Sequence, residues 1–449
     1  MQLRPLLALL PIVLCVVVGS AAAPPGEAPP GTPTDVRAPP VPLAAPLDLE
    51  TALEWTVRYH PNLVIQRQNA EATAEAIAVA RQFPTSLNPT VALEVTPWVF
   101  QRQPGDGVQR LNTFVNVNWQ QPIELGHRRR YRTEMAQASY DQACWNALQT
   151  ELAALVGTYR FHQGATYRGQ KLAVAGRLAD FNVQLVQSLK RQAAANQVGP
   201  AEVVLAEVEA GAAAQGVETA RREYVVALAE LRGQFALPEG AALIEPTGLL
   251  RPPGDNLPGT EDDLAQLAME SRPEISAAVA QAANSRAALS LARADRIPVP
   301  SVGPVYEHNE TGASFYGFGL TTPIPLLNTG GALVRQREAE YHRDCVALEQ
   351  VRQQVRTQVQ AVLAKWNQVR ESAARTRARR EPIAGQVDRM QRLFDAGQTD
   401  LVKLLQVHQR LIEAENAQLD AQWQSIEAYA DLLAAVGWTP LLGLPTENR

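Results

Sequence analysis

The sequence predicts a mainly α-helical fold with a small membrane β part: internally duplicated long helical hairpins plus four β-strands. Chains of this kind are expected to trimerise into a β-barrel of about 12 strands standing on an α-helical tunnel. Three observations lead there. The chain repeats itself at an offset of about 200 residues, a period that signals duplication of a structural unit. Each repeat holds a long run suited to a helix of about 100 Å. Between the helices lie segments in which apolar and polar residues alternate, the period of a strand with two unlike faces.

The repeat is read first because it organises everything else. Pro61 aligned on Pro273 fixes an offset of 212, which brings Ala70 onto Ala282, Ala76 onto Ala288, Ala80 onto Ala292 and Arg81 onto Arg293. Further on, Pro122-Ile123 falls on Pro323-Ile324 at an offset of 201, and Tyr140/Tyr341, Cys144/Cys345, Ala229/Ala430 and Leu231/Leu432 keep it. The change of offset is absorbed by a longer polar loop, Arg102 to Arg110, in the first copy.

Taken in order, residues 1–23 read as a cleavable signal peptide: Arg4, an apolar run from Leu6 to Val18, then small residues. The mature chain is therefore expected to be exported. Leu14 stands where a lipoprotein signal wants a small residue before Cys15, so acylation is not expected. Residues 24–46 are a Pro/Ala-rich leader. The first repeat, 47–236, opens with a helix over Leu49–Tyr59, which ends at His60 because a residue before proline avoids the α region. A second helix runs to Phe83, followed by strands at 89–101 and 111–120, a helix from Gly126 to about Ala195, a tip at Gln197 to Pro200 and a returning helix to Phe235. Residues 237–260 form a Pro/Gly-rich connector. The second repeat, 261–437, gives helices at Glu261–Ser271 and Glu274–Arg296, strands at 301–309 and 314–322, and a helix from Gly331 to a tip near Gly397. A return helix then runs to Val436, and 438–449 are a tail. Pro382 predicts a kink in the second long helix. The two shorter helices of each repeat together match the length of the long one, so they are expected to stack beside it in a rod about 100 Å long.

Within 111–120, Leu111, Thr113, Val115, Val117 and Trp119 alternate with Asn112, Phe114, Asn116, Asn118 and Gln120. A membrane barrel strand shows this pattern with lipid outside and water inside, and a half-buried soluble sheet shows it too. On the membrane reading Val115, Val117 and Trp119 face lipid, and Asn116 and Asn118 face the barrel lumen. Pro304 spoils the alternation of the third strand. After residue 23 no run of about 18 apolar residues occurs, so any crossing of a membrane must be by strands. Four strands do not close a water-filled barrel and an open sheet in lipid leaves unpaired edges, so about three chains are needed.

Two helix–strand–strand–helix copies after a signal peptide resemble the outer membrane efflux proteins, the TolC-like family, over nearly the whole mature chain. Gln121-Pro122-Ile123-Glu124-Leu125-Gly126 with Arg128 to Arg130, and Pro323-Ile324-Pro325-Leu326, look like the strand-to-helix passages of the heavy-metal cation efflux branch. Phe394-Asp395-Ala396-Gly397-Gln398-Thr399-Asp400 looks like the periplasmic hairpin tip, and Val198-Gly199-Pro200 is its counterpart with proline where the other has Asp400. The resemblance implies a homotrimer in outer-membrane lipid, with the helical tunnel in the periplasm. It implies partners in a periplasmic adaptor (a membrane fusion protein) and an inner-membrane pump of the RND type. Val198, Gly199, Pro200, Ala396, Gly397, Gln398 and Thr399 would then dock the adaptor, and Asp395 and Asp400 would line an aperture. The implied function is a passive duct of a tripartite efflux system, exporting small solutes such as heavy-metal cations; a multidrug or type I protein secretion duct remains open.

Other classes fit less well. Net charge is −5, with 41 basic and 46 acidic residues mixed along the chain, so no nucleic-acid partner is indicated. Among the six histidines none pairs with another at a helical ligand spacing, no nucleophile motif or phosphate loop occurs, and no cofactor or enzymatic activity is expected. Cys144 and Cys345 read as small buried helix residues rather than a disulfide or metal site. A secreted coiled-coil structural protein would explain the helices but not the alternation at Leu111 to Gln120.

Overall fold

The fold was analysed in a computed structural model. It describes residues 47–82, 84–96, 100–103, 107–110, 113–196, 198–235, 237, 245–250, 260–309, 311–395, 398 and 401–437, all within one compact unit, Ala38–Arg449. The signal peptide, the leader, most of the connector and the C-terminal tail lie outside the described residues.

The elements in chain order are α1 (Leu49–Tyr59), α2 (Pro61–Arg81), β1 (Thr90–Thr96), β2 (Phe100–Gln103), β3 (Gly107–Arg110), β4 (Phe114–Pro122), α3 (Arg128–Ala194) and α4 (Pro200–Arg232). The second repeat supplies α5 (Glu261–Ser271), α6 (Pro273–Ala294), β5 (Ser301–His308), β6 (Ser314–Thr321), α7 (Gly331–Asp395) and α8 (Leu401–Val436). Local chemistry sets the boundaries. Asp48 accepts a hydrogen bond from Thr51 N at the start of α1, and Thr260 and Asp263 form a reciprocal capping box at the start of α5. Pro61, Pro200 and Pro273 each open a helix, where a missing N–H costs nothing and the fixed φ suits the first turn. Pro382 ends no helix: α7 continues through it as one element of 65 residues.

α3, at 67 residues, spans about 100 Å. α2 and α4 both pack on it: Arg67 of α2 pairs with Glu151, and Lys190 pairs with Glu207 of α4 near the tip. In the second repeat α6 and α8 pack on α7 in the same way, and both also touch α3. The closest pairings order the helices α2–α3–α6–α7 at the strand end and α4–α3–α8–α7 at the tip end.

The short helices fill the places where their longer neighbours end. Leu53 of α1 joins Leu152, Leu155 and Tyr159 of α3 and Ile426 and Leu433 of α8. Leu264 and Ala268 of α5 join Val355, Val359 and Leu363 of α7 with Leu432 and Val436 of α8. A further cluster closes the tips, with Leu185 and Leu189 of α3, Ala206 of α4, and Leu401 and Leu404 of α8. Cys144 and Cys345 are half-buried free thiols, more open than the sequence reading expected. Their neighbours are repeated too: each is hydrogen-bonded by the tyrosine one turn earlier, Tyr140 or Tyr341.

Candidate functional site

The candidate site begins at the four-stranded sheet, ordered β1–β4–β5–β6 and antiparallel throughout, so the hairpins of the two repeats lie side by side. The register gathers the side chains onto two unlike faces. Val91, Leu93 and Val95 stand opposite Trp119, Val117 and Val115; Val117 in turn stands opposite Tyr306, and Tyr306 opposite Tyr316. Val302, Phe318 and Leu320 share this apolar face. Val91, Leu93, Val95, Trp119, Tyr316, Phe318 and Leu320 are exposed, Phe318 at 90 %, and Val115, Val117, Val302 and Tyr306 are half-buried. The other face carries Glu94, Asn116, Asn118, Gln120 and Glu307, with Gly303, Gly317 and Gly319 among them.

Val115, Val117 and Trp119 thus lie together on the apolar face, and Asn116 and Asn118 on the polar one. The strands of the second repeat extend that apolar face, which sequence reading missed. A signal was present in β6, where Tyr316, Phe318 and Leu320 alternate with Phe315, Gly317 and Gly319. Pro304 lies inside β5 after all, at a gap in the ladder with β4. At the same place the strands approach so closely that a Cβ on Gly303 would lie 1.8 Å from the Trp119 carbonyl oxygen. Proline and glycine are neighbours here because the first gives up a ladder hydrogen bond and the second permits the approach.

The polar loop expected at Arg102 to Arg110 is largely a ribbon. β2 pairs with β3, Phe100 opposite Arg110 and Gln103 opposite Gly107, in the register that β1 and β4 set. The first hairpin therefore resumes beyond residues 96 and 114, because alternating backbone donors and acceptors pair whether or not the side chains are apolar. Leu111 and Asn112 lie outside the described residues.

Where β4 passes into α3 the chain is held by a polar lock. Ile123 N still donates to Pro300 O at 2.8 Å, so the strand pairing runs on past Pro122. Glu124, its side chain 6 % exposed, forms a two-pronged ion pair with Arg132, 20 % exposed. Gly126 and His127 both take left-handed backbone angles, φ 78° and 60°, which re-aim the chain into α3. Arg128 then reaches the carbonyls of Ala294 and Ile297 at the end of α6 and pairs with Asp295 at 3.2 Å. A cation on those orphan carbonyls satisfies the helix terminus. The second passage differs: Gly330 (φ 70°) opens α7, Arg296 donates to Thr329 O at 3.2 Å, and Ile324 and Leu326 stand exposed, Leu326 at 81 %.

At the tips the first turn uses Asn196 in a left-handed conformation, and Gly199 precedes Pro200 at the start of α4. Val198 packs into the tip cluster with Phe394 and Leu405. Of the second tip, Gln398 N donates to Leu393 O at 2.8 Å. Ala396, Gly397, Thr399 and Asp400, with the side chain of Asp395, lie outside what is described. No helix among the described residues is long and apolar enough to cross a membrane.

A sheet with one apolar and one polar face, mounted on paired helices about 100 Å long and written twice, has the form of a channel protomer. Residues 264–438 match the family model described as "Outer membrane efflux protein". No curated protein sequence matches the chain. Among solved structures, the outer-membrane channel OprN is similar at 17 % identity, over 87 % of this chain and 89 % of that one, with a TM-score of 0.69. CusC, described through the folding and transmembrane channel formation of that protein, is similar at 14 % identity, over 87 % and 92 %, with a TM-score of 0.69. The Campylobacter jejuni outer membrane channel CmeC follows at 13 %, over 87 % and 85 %, with a TM-score of 0.68. These likenesses fix the fold. Residues 264–438 are thus similar to outer membrane efflux proteins, and the fold of the chain is that of the outer-membrane channels.

Proposed function

We propose that the chain is the outer-membrane duct of a tripartite efflux system, working as a homotrimer that passes small solutes passively, heavy-metal cations among them. The observation that carries the reading is the open sheet, apolar on one face and polar on the other, with β1 and β6 each unpaired on its outer edge among the described residues. Bare edges are not tolerated in lipid, and pairing β6 of one copy with β1 of the next closes about 12 strands in three copies. The helices support the same closure. α6 lies between α3 and α7 and has buried residues along its length, from Pro273 and Ile275 to Ala294, whereas α2, its counterpart in the first repeat, buries Leu63 alone and leaves Ile65 and Val79 exposed. A neighbouring copy's α7 against α2 would give α2 the environment α6 already has.

In this reading Val115, Val117 and Trp119 face lipid, Asn116 and Asn118 face the lumen, and the helices descend into the periplasm. There the tips, Val198 to Pro200 and Ala396 to Thr399, meet a periplasmic adaptor coupled to an inner-membrane pump of the RND type, and Asp395 and Asp400 border the aperture. Outer-membrane fractionation with heat-modifiable migration in detergent tests the duct. A deletion strain challenged with metal salts, drugs and a secreted-protein assay tests the cargo, and resistance lost to drugs alone would overturn the metal assignment. Gly397→Trp tests the tip: the trimer should still form, but crosslinking to the adaptor and resistance should be lost. Full export by that variant would remove the role given to the tip.

A further inference from the structure

The apolar face does not stop where the strands stop. If the alternation of β4 is carried past Pro122, Ile123 and Leu125, both exposed, fall on the side of Trp119, while Glu124, which meets Arg132, falls on the polar side. Ile324 and Leu326 of the second passage continue the face of Phe318 and Leu320 in the same way. These two pairs of residues extend the exposed apolar surface past both strands toward the helices. Directly below this edge the sequence turns basic, at His127, Arg129 and Arg130, all exposed.

The side on which these groups stand follows from helix geometry. At about 100° per residue, Arg130, Glu134, Gln137 and Asp141 lie on the side of α3 opposite Arg132. Arg132 points to the polar face, so this stripe is continuous with the apolar one. It lines a shallow, open groove of about 710 Å³ along α3, with His127, Arg129, Arg130, Glu134 and Asp141 on its floor and Ala283 of α6 at its edge. Both helices belong to one chain, and the closure proposed above sets the seam between copies along α2 and α7, so that a trimer of this kind leaves the groove open.

We propose that this groove seats the headgroup of an amine-bearing zwitterionic phospholipid from the periplasmic leaflet, an assignment that rests on the membrane reading above. The phosphate lies on Arg129 and Arg130 beside His127, and the ammonium on Glu134. Guanidinium groups match phosphate geometry in paired hydrogen bonds. Arg130 now pairs with Glu134 at 2.7 Å, with side chains 72 % and 44 % exposed, a contact weak enough to exchange. When the phosphate takes Arg130, the headgroup's own ammonium takes Glu134, so neither member of this pair is left alone. The acyl chains run up over Leu125, Ile123 and Trp119, where an aromatic residue is expected at the interface.

Native mass spectrometry of the purified trimer, titrated with phosphatidylethanolamine, phosphatidylcholine and phosphatidylglycerol, tests this. Phosphatidylethanolamine should be retained best. Arg129→Gln with Arg130→Gln should lower its retention at least tenfold, and Glu134→Gln should keep phospholipid binding but erase the preference for the ethanolamine headgroup over choline. Equal retention by the double variant, or tighter binding of phosphatidylglycerol, would overturn the site. If the double variant fails to assemble, the headgroup preference of Glu134→Gln decides the matter. An unsubstituted chain that never yields an outer-membrane trimer would overturn the duct and this site with it, whereas a normal trimer holding no such lipid overturns the site alone.

Discussion

Val117→Arg set beside Asn118→Arg probes the register of the whole sheet. Val117 stands between Leu93 of β1 and Tyr306 of β5, in the middle of the apolar face. Asn118, one residue on, stands between Ala92 and Val305 on the other face. An arginine facing lipid at mid-bilayer costs about 2–4 kcal/mol, and three copies place three of them in one barrel, so the closed barrel loses about 6–12 kcal/mol. That is comparable with the whole stability of an ordinary domain, about 5–15 kcal/mol. Facing the lumen, an arginine stays in water and bears mainly the steric cost of a larger side chain. The assay is the yield of heat-modifiable trimer from outer membranes at matched expression. Val117→Arg should abolish the trimer, and Asn118→Arg should retain most of it. Equal yields would refute the assignment of the two faces, and a greater loss for Asn118→Arg would invert it.

Three further outcomes are expected. Gly303→Ala should break the pairing of β4 with β5, because the new Cβ would lie 1.8 Å from a backbone oxygen that has no room to move; strand content by infrared spectroscopy should fall, whereas Gly317→Ala, with open space at its Cβ, should leave it unchanged. Glu124→Gln should destabilise the passage by about 3–5 kcal/mol by leaving the half-buried Arg132 unpaired, and adding Arg132→Met should recover part of the lost thermal stability. His408 is stacked on Phe181 at 3.7 Å, its Nε2 buried without a hydrogen-bond partner, and burial lowers its pKa. A histidine held neutral in this way contributes stability that is fully present above its unfolded pKa of about 6.5 and lost as pH falls through the folded value. His60 is lowered in the same direction, by burial against an opposing hydrogen bond from Gln234, so His408→Phe should flatten the fall in melting temperature between neutral and acidic pH without abolishing it. An unchanged slope would count against burial as the cause.

What the sequence determined by itself is whatever depends on neighbours along the chain. Helix ends at His60, Pro61, Pro200 and Pro273 are legible because proline acts on the residue before it and on its own N–H. The alternation at Val115 to Gln120 is legible because a strand turns its side chains over every second residue, and the duplication because Pro, Tyr and Cys recur at fixed offsets. The tertiary structure decided what depends on distance in space. Nothing local says that β4 pairs with β5 across about 180 residues of sequence, that Gly303 must be bare for that pairing, or that Arg128 closes the end of α6. The ribbon of β2 and β3 stayed hidden because backbone pairing needs no apolar side chains, so a polar stretch reads as a loop until its partner strand is in place. That Arg132 meets Glu124 of the passage above it, while Arg129 and Arg130 line the open groove, was likewise decided in space and not by the sequence of either helix.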